Sequence, residues 1–301
     1  MKSFWLSLFL ILSVQAFPQH SAIDSMLQRN DSLEESIDKI NNLINISREY
    51  FIMQDTQSLL FADKAIALSE KLDYELGKGQ AYFWKAISYD MMNTDSMEHY
   101  FIKAAEILHQ ENHPWAGYCF ENLTSLYIEK GWYPEALKYA IQSIENHKTN
   151  KDTIELIKTY SITGYLYTKL KDYDQSYRYL RKSLDLMGNR DIPEIRGLVF
   201  GKIGIMFDEQ EKYDSALYYN AKAIEFFKKA HSYSYLSQWQ SNIGNTYMKQ
   251  KNYNKAEKYF IAANDNYLYD DQKAAVLNNL AKVYIETNRF DKAEKVLDSA
   301  G

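Results

Sequence analysis

A short segment recurs along this chain at a fixed spacing, and the repetition constrains the fold more than any other feature. Its clearest copy is the run SNIGNTY at 241–247. A small residue with an aromatic residue three positions later returns at steps of 40 and finally of 37 residues. The small residues are Thr124, Gly164, Gly204, Gly244 and Ala281. A period of this size indicates an array of small, similar units that stack on one another.

Each unit is predicted to be a pair of α-helices. In the copy around Gly244, apolar residues fall at helical spacing before and after a polar turn that ends at Asn252. The small residue of the first helix is expected where the two helices cross, and a second small residue is expected to face it. The second set is Ala136, Ser176, Ala216, Ala256 and Ala293. One pair cannot bury its own apolar face, so neighbouring pairs must complete the core.

The pattern small-x-x-aromatic, followed by aromatic-x-x-small, resembles the tetratricopeptide repeat. The resemblance extends from Gly117 to Gly301, with a period near 40 residues where about 34 is usual for the family. It implies an all-α fold, a right-handed superhelical solenoid of antiparallel helix pairs with about seven units. It also implies that the first helices of the pairs line a concave groove.

The chain is predicted to form one solenoid behind a leader and a tail. Residues 1–16 are interpreted as a signal peptide, 17–31 as a polar N-terminal tail and 32–301 as a single solenoid domain. Two less regular units are placed at about 39–77 and 78–116. Five regular units are placed at about 117–156, 157–196, 197–236, 237–273 and 274–301. No linker is long or low in complexity, so no second domain is predicted.

The leader has the pattern of a secretory signal peptide. Lys2 precedes an apolar run that ends at Val14, and Val14 and Ala16 supply the small residues before a cleavage site at Phe17. An uncleaved membrane anchor is the alternative, although the run is short for a membrane span. We therefore expect an exported protein, periplasmic or extracellular, with no membrane span after cleavage.

Charge and motifs disfavour several functions. The formal net charge of -5 does not suit a nucleic-acid surface. The lone Cys119 cannot form an intramolecular disulfide and is expected to be buried. No phosphate-binding loop, cysteine pair or HExxH motif occurs, and Pro114 directly after His113 favours a solvated pair of His109 and His113 over a metal site. The chain is thus predicted to be a non-enzyme without cofactor or metal.

The predicted binding residues lie within one helical turn of the crossing positions of the first helices. This lining is polar and rich in amides: Asn122, Tyr165, Lys202, Asn242, Asn245, Asn279 and Lys282. Carboxamide side chains can pair with the backbone of an extended peptide. Ile162 and Lys202 interrupt the asparagine series, and ordinary solvated helix residues are the alternative interpretation.

Two functions follow from this organisation. The first is a protein-interaction scaffold that binds a peptide or protein segment in the concave groove. The second is an extracytoplasmic sensory input or assembly module of a signalling protein. It would act through an open C-terminal face, by self-association or by continuation of the chain. The second function rests on resemblance to exported repeat arrays that precede bacterial sensor kinases or helix-turn-helix regulators.

Overall fold

The computed structural model describes residues 16–89, 94–266 and 270–299, and these residues contain fifteen α-helices and no strand. In chain order the helices are α1 Ala16–Ser32, α2 Ile37–Ile52, α3 Gln57–Lys71, α4 Glu75–Tyr89, α5 Thr94–Gln110, α6 Trp115–Glu129, α7 Tyr133–Thr149, α8 Thr153–Lys169, α9 Tyr173–Met187, α10 Pro193–Glu209, α11 Tyr213–Lys229, α12 Tyr233–Lys249, α13 Tyr253–Asn264, α14 Asp270–Glu286 and α15 Phe290–Asp298. The predicted all-α class is confirmed. The signal-peptide prediction falls almost wholly outside the described residues.

The chain divides into two compact units, residues 1–152 and residues 153–301. Unit 1 contains the helix pairs α2/α3, α4/α5 and α6/α7, and unit 2 contains α8/α9, α10/α11, α12/α13 and α14/α15. The first helices α8, α10 and α12 begin at residues 153, 193 and 233, so the period of 40 residues is the period of the helix pair. Within the described residues, no helix combines the length and apolar character needed to cross a bilayer.

The segment 17–31, expected to be a polar tail, is helical and forms most of α1. Ile23 is only 4% exposed and belongs to the apolar cluster of α2 and α3. The Nδ2 of Asn42 in α2 also donates a hydrogen bond of 2.9 Å to the backbone oxygen of Met26. The few apolar side chains of this polar segment therefore suffice to pack it against the first helix pair.

The crossing of each helix pair differs in one detail from the prediction. The expected facing residues, such as Ser176 and Ala256, are fully buried. However, the side chain that lies against the crossing residue is one turn further along the second helix. A Cβ built on Gly164 would lie 2.6 Å from Cγ of Leu180 and 3.1 Å from the backbone oxygen of Ser176. The smaller residue lets the backbones approach, and the larger one fills the space beside the glycine.

A second repeated feature is an aromatic triad within each of several helix pairs. In α8/α9 the ring of Tyr179 lies 5.4 Å from that of Tyr167 and 6.0 Å from that of Tyr160. The same arrangement occurs in three other pairs. Their triads are Tyr82, Tyr89 and Tyr100; Phe120, Tyr127 and Tyr139; and Phe200, Phe207 and Tyr219. These contacts explain much of the tyrosine content as intrapair packing.

Candidate functional site

The candidate site is the row of first helices in unit 2, α8, α10, α12 and α14, which we call the first-helix layer. Helix α8 contacts α10, and α12 contacts α14. Between them, Trp239 of α12 packs on the backbone of α10 at Gly201, where any added Cβ would overlap the indole ring. Trp239 is 4% exposed and also contacts Phe227 of α11 at a ring distance of 5.0 Å. The absence of a side chain at Gly201 thus allows the close approach of two neighbouring repeats.

Six of the seven predicted binding residues lie on this layer, and Asn122 lies on α6 of unit 1. Asn122 is 8% exposed, and its Nδ2 donates to the backbone oxygen of Tyr118 at 2.7 Å. Tyr165 is half-buried, with Nζ of Lys169 5.5 Å from its ring centroid. Both side chains are therefore already engaged within their own helices.

The other five predicted residues share a different state. Their side chains have no hydrogen-bond or ion-pair partner in the part of the chain that the structure describes. They are Lys202, Asn242, Asn245, Asn279 and Lys282. Lys282 is exposed, and the other four are half-buried. These side chains are therefore available to groups from outside the folded chain.

Lys202 is the electrostatic centre of the layer. Burial lowers the pKa of its ammonium group from 10.5 to about 8. No neighbouring carboxylate counteracts this effect, because burial is the single cause of the shift. Positions 40 residues before and after it carry the uncharged Ile162 and Asn242. A half-buried cation without a counterion is costly, and an anionic partner would offset that cost.

The carboxylates close to the layer are committed to other partners. Glu155 accepts from Nζ of Lys158 at 2.7 Å, and Glu209 pairs with Lys169 at 3.0 Å. Asp208 pairs with Lys249 and also accepts from the hydroxyl of Thr246. None of these acids pairs with Lys202 or Lys282. The surface offers amides and positive charge to a ligand.

In unit 1 the structure reveals an aromatic stripe that sequence reasoning missed. Trp84 of α4 lies 6.0 Å from Phe51 of α2 and 6.1 Å from Trp115 of α6, measured between ring centroids. The spacing from Trp84 to Asn122 is 38 residues, and each lies two residues before a small buried residue of its own helix, Ala86 and Thr124 respectively. The shorter period of this region hid the equivalence. The sequence signal that could have revealed the stripe is the pair Trp84 and Trp115.

Metal chemistry has no support in the described residues, where no group of histidine, cysteine and acidic side chains could hold an ion. His109 packs edge-on against Phe120, and His113 contacts Nε2 of Gln80 at 3.3 Å. The pKa of His113 is lowered by burial, which favours its neutral form. These two histidines are engaged separately.

Tetratricopeptide-repeat family models match residues 157–187 and 235–300. No match is found among curated proteins. Many solved structures share the fold. A tetratricopeptide repeat protein from Parabacteroides merdae aligns with a TM-score of 0.64 at 14% identity, over 87% of this chain and 91% of its own. The apo form of RapI aligns with a TM-score of 0.62 at 18% identity, over 87% and 92%.

A third similar structure is a signal transduction ATPase with a tetratricopeptide repeat sensor from Pyrococcus horikoshii. It aligns with a TM-score of 0.63 at 21% identity and over 87% of this chain, which spans 41% of that protein's length. At these identities the likeness shows a shared fold. Together with the matched repeats and the period of the helix pairs, it identifies the chain as a tetratricopeptide-repeat protein.

Proposed function

We propose that the chain is a non-catalytic interaction scaffold and that its first-helix layer binds an extended peptide or protein segment. Asn242, Asn245 and Asn279 would pair with the peptide backbone. Lys202 would pair with a carboxylate of the peptide, with Lys282 as a second, more exposed cation. An amide offers both a donor and an acceptor, and an extended peptide presents both groups along its length.

The observation that carries this proposal is the set of side chains without partners on one layer. Several asparagines elsewhere in the described residues are used internally. Asn146 accepts from the backbone nitrogen of Gly117 at 3.1 Å, and Asn266 donates to the backbone oxygen of Ala262 at 2.7 Å. Asn242 and Asn245 make no such bond within the described part of the chain. Ligand binding accounts for polar groups that the fold itself does not use.

Similar proteins support a recognition role. The quorum sensor NprR from B. thuringiensis aligns over 94% of this chain with a TM-score of 0.61 at 11% identity. The archaeal ATPase carries its repeats as a sensor. Such roles are consistent with a scaffold whose repeats recognise a ligand.

The test is selection of peptides from a random display library on residues 17–301, followed by calorimetric titration of the selected peptide. Asn242→Ala should weaken binding by about tenfold, the effect of losing roughly 1.4 kcal/mol. Asn254→Ala, at an exposed position of α13, is the matched control and should bind like the wild type. Equal affinities for all three proteins would refute the assignment of the site.

A second candidate function is assembly through α14 and α15. Leu297 is 44% exposed, whereas Leu180 and Phe260 at the equivalent place in their helix pairs are fully buried. Phe290 and Ile285 nearby are 59% and 46% exposed. These exposed apolar side chains of α14 and α15 are ones that another copy of the chain could cover.

Light scattering over a concentration series tests self-association. A dimer that Leu297→Lys dissociates, and that Ile261→Lys leaves intact, would establish the surface, because Ile261 is equally exposed at 43% but lies on α13. A wild-type monomer at all concentrations would eliminate this candidate.

We further propose that residues 1–16 direct export to the periplasm or beyond the cell. The support is the charge and apolar pattern of this segment. N-terminal sequencing of the protein recovered from its native cells tests it. A first residue at Phe17 is expected, and a retained Met1 would contradict cleavage.

A further inference from the structure

A pocket of about 250 Å³ lies in unit 2 between the α9–α10 loop and the end of α11. Its lining includes three basic side chains, Arg190, Arg196 and Lys229, and one carboxylate, Asp191. The chain enters this loop through Gly188, whose φ of 52° and ψ of -131° suit glycine alone. The loop at 188–192 is also longer than the three-residue connections at 150–152 and 230–232. The extra residues create the pocket.

Two arginines in the pocket are held by backbone carbonyls instead of by carboxylates. The Nη2 of Arg196 donates to the backbone oxygen of Gly188 at 2.6 Å and to that of Arg190 at 3.3 Å. The Nη1 of Arg190 donates to the backbone oxygen of Leu186 at 2.6 Å. Neither guanidinium forms an ion pair or a hydrogen bond with a carboxylate within the described residues. Since a guanidinium carries five N–H donors, each keeps donors for a ligand.

The side chain of Arg196 is also held in place by an aromatic ring. It is half-buried, and its guanidinium carbon lies 5.7 Å from the ring centroid of Phe226. Phe226 in turn stacks on Phe200 of α10 at 5.6 Å. The aromatic support and the two carbonyl bonds hold the planar fork in one orientation, which reduces the entropy lost when a ligand binds.

The carboxylates near the pocket are fewer than its basic side chains, and they already have partners, so they do not neutralise its positive charge. Asp191 pairs with Nζ of Lys229 at 2.7 Å, and Glu194 accepts from the hydroxyl of Ser232. The pKa of Asp191 is lowered, first by the hydrogen bond from Lys229 and also by the charge of Arg196. Three basic side chains therefore face one lining carboxylate. The positive end of the helix dipole of α10 adds to the same field.

We propose that this pocket binds a phosphate-type oxyanion, with Arg196 and Arg190 as its principal donors and Lys229 as a third cation. Guanidinium forks match the geometry of phosphate oxygens and form charge-assisted hydrogen bonds with them. The lining residues are distinct from the five unpartnered residues of the first-helix layer. The proposal therefore stands independently of peptide binding.

The experiment is a titration with sodium phosphate against sodium chloride at constant ionic strength, followed by NMR of the arginine Nε–H signals. The wild-type signals of Arg196 and Arg190 should shift with a saturable dependence on phosphate. Arg196→Gln should weaken binding by about tenfold or more. Arg178→Gln removes the same charge from an exposed site on α9 and should leave binding unchanged. Shifts that do not saturate, or equal losses in both variants, would overturn the proposal.

Two further measurements keep the result interpretable. Arg190→Gln removes an exposed guanidinium and tests the pocket without loss of the Arg196 bonds to the loop. A folded Arg190→Gln protein that binds phosphate like the wild type would contradict the role of Arg190. Titration with O-phosphoserine alongside inorganic phosphate distinguishes a phosphate ester from the free anion, and tighter binding of either one identifies the source. Absence of saturable binding of both would refute the site.

Discussion

Phe260 lies directly against Gly244 at the crossing of α12 and α13, where a Cβ on the glycine would be 2.6 Å from Cε1 of the ring. At the equivalent two positions of other helix pairs, a smaller residue on one helix accompanies a larger residue on the other. Thr124 stands opposite Ala140, Gly164 opposite Leu180, and Gly204 opposite Asn220. The combined volume of the two side chains, more than the volume of either one, determines how closely the helices can pack.

This relationship predicts that Gly244→Ala destabilises unit 2. The added methyl must displace a fully buried ring, at a cost of about 1–3 kcal/mol, which exceeds the roughly 1 kcal/mol gained in helix propensity. In the Phe260→Ala background the same substitution should lose most of its cost, because the ring is gone. Urea denaturation of the four proteins measures the coupling. Additive effects would show that the two residues do not oppose each other.

The aromatic triads should contribute to stability through stacking. Tyr179→Leu removes two ring contacts and should lower the free energy of unfolding by about 1–2 kcal/mol. Tyr177→Leu, on the same helix at 45% exposure, should be near neutral. Thermal unfolding followed by circular dichroism compares the two variants. Equal shifts in melting temperature would mean that the triad contributes nothing beyond surface burial.

A carboxylate that ties α5 to α6 should make unit 1 sensitive to acid. Glu98 accepts from the hydroxyl of Tyr127 and from Nζ of Lys130. Burial alone would raise the pKa of Glu98, but these two donors outweigh it and lower the pKa below the usual 4.5. The stabilisation is therefore complete above the pKa of the unfolded chain and is lost as the pH falls through the folded value.

Glu98→Gln tests the contribution of these hydrogen bonds and should lower the free energy of unfolding by about 1 kcal/mol at neutral pH. The difference from wild type should shrink below about pH 4, where Glu98 itself becomes protonated. Glu129→Gln, exposed on α6, is the control for general charge effects. A constant difference between Glu98→Gln and wild type from pH 7 to pH 3 would contradict the role of ionisation.

The turn before α13 offers a stabilising substitution. Lys251 is exposed and has a φ of 56°, in the left-handed region where a Cβ is unfavourable. Lys251→Gly should stabilise the protein by a few tenths to about 1 kcal/mol, because relief of strain exceeds the added freedom of the unfolded chain. Lys258→Gly, the same change within α13, should destabilise it by about 1 kcal/mol. Thermal melts that shift both variants in one direction would contradict this.

Much of the fold could be predicted because the same pattern recurs in several units. The spacing of Gly164, Gly204 and Gly244 matches the spacing of the helix pairs. The helix starts were less predictable. Helices α8, α10 and α12 begin four residues before the unit boundaries drawn at 157, 197 and 237. Those boundaries followed the crossing residues, whereas the turn chemistry at the preceding linker sets where each helix begins.

The site could be predicted only in part. Sequence periodicity places Asn242 and Lys202 on the first helices, but it cannot tell which side chains find partners within the fold. Asn122 was expected to resemble Asn242, yet it donates to the backbone of its own helix. The basic pocket was missed altogether, because Arg190 and Arg196 come together through the turn at Gly188 and not through any repeat.

NMR titration of the Lys202 ammonium group is the most direct test of whether a peptide carboxylate covers Lys202. The pKa should be about 8 in the free protein and should rise when the selected peptide binds, because a nearby negative charge favours the protonated form. Peptide affinity should accordingly weaken as the pH rises above 8. An unchanged Lys202 pKa in the saturated complex would show that the peptide binds elsewhere.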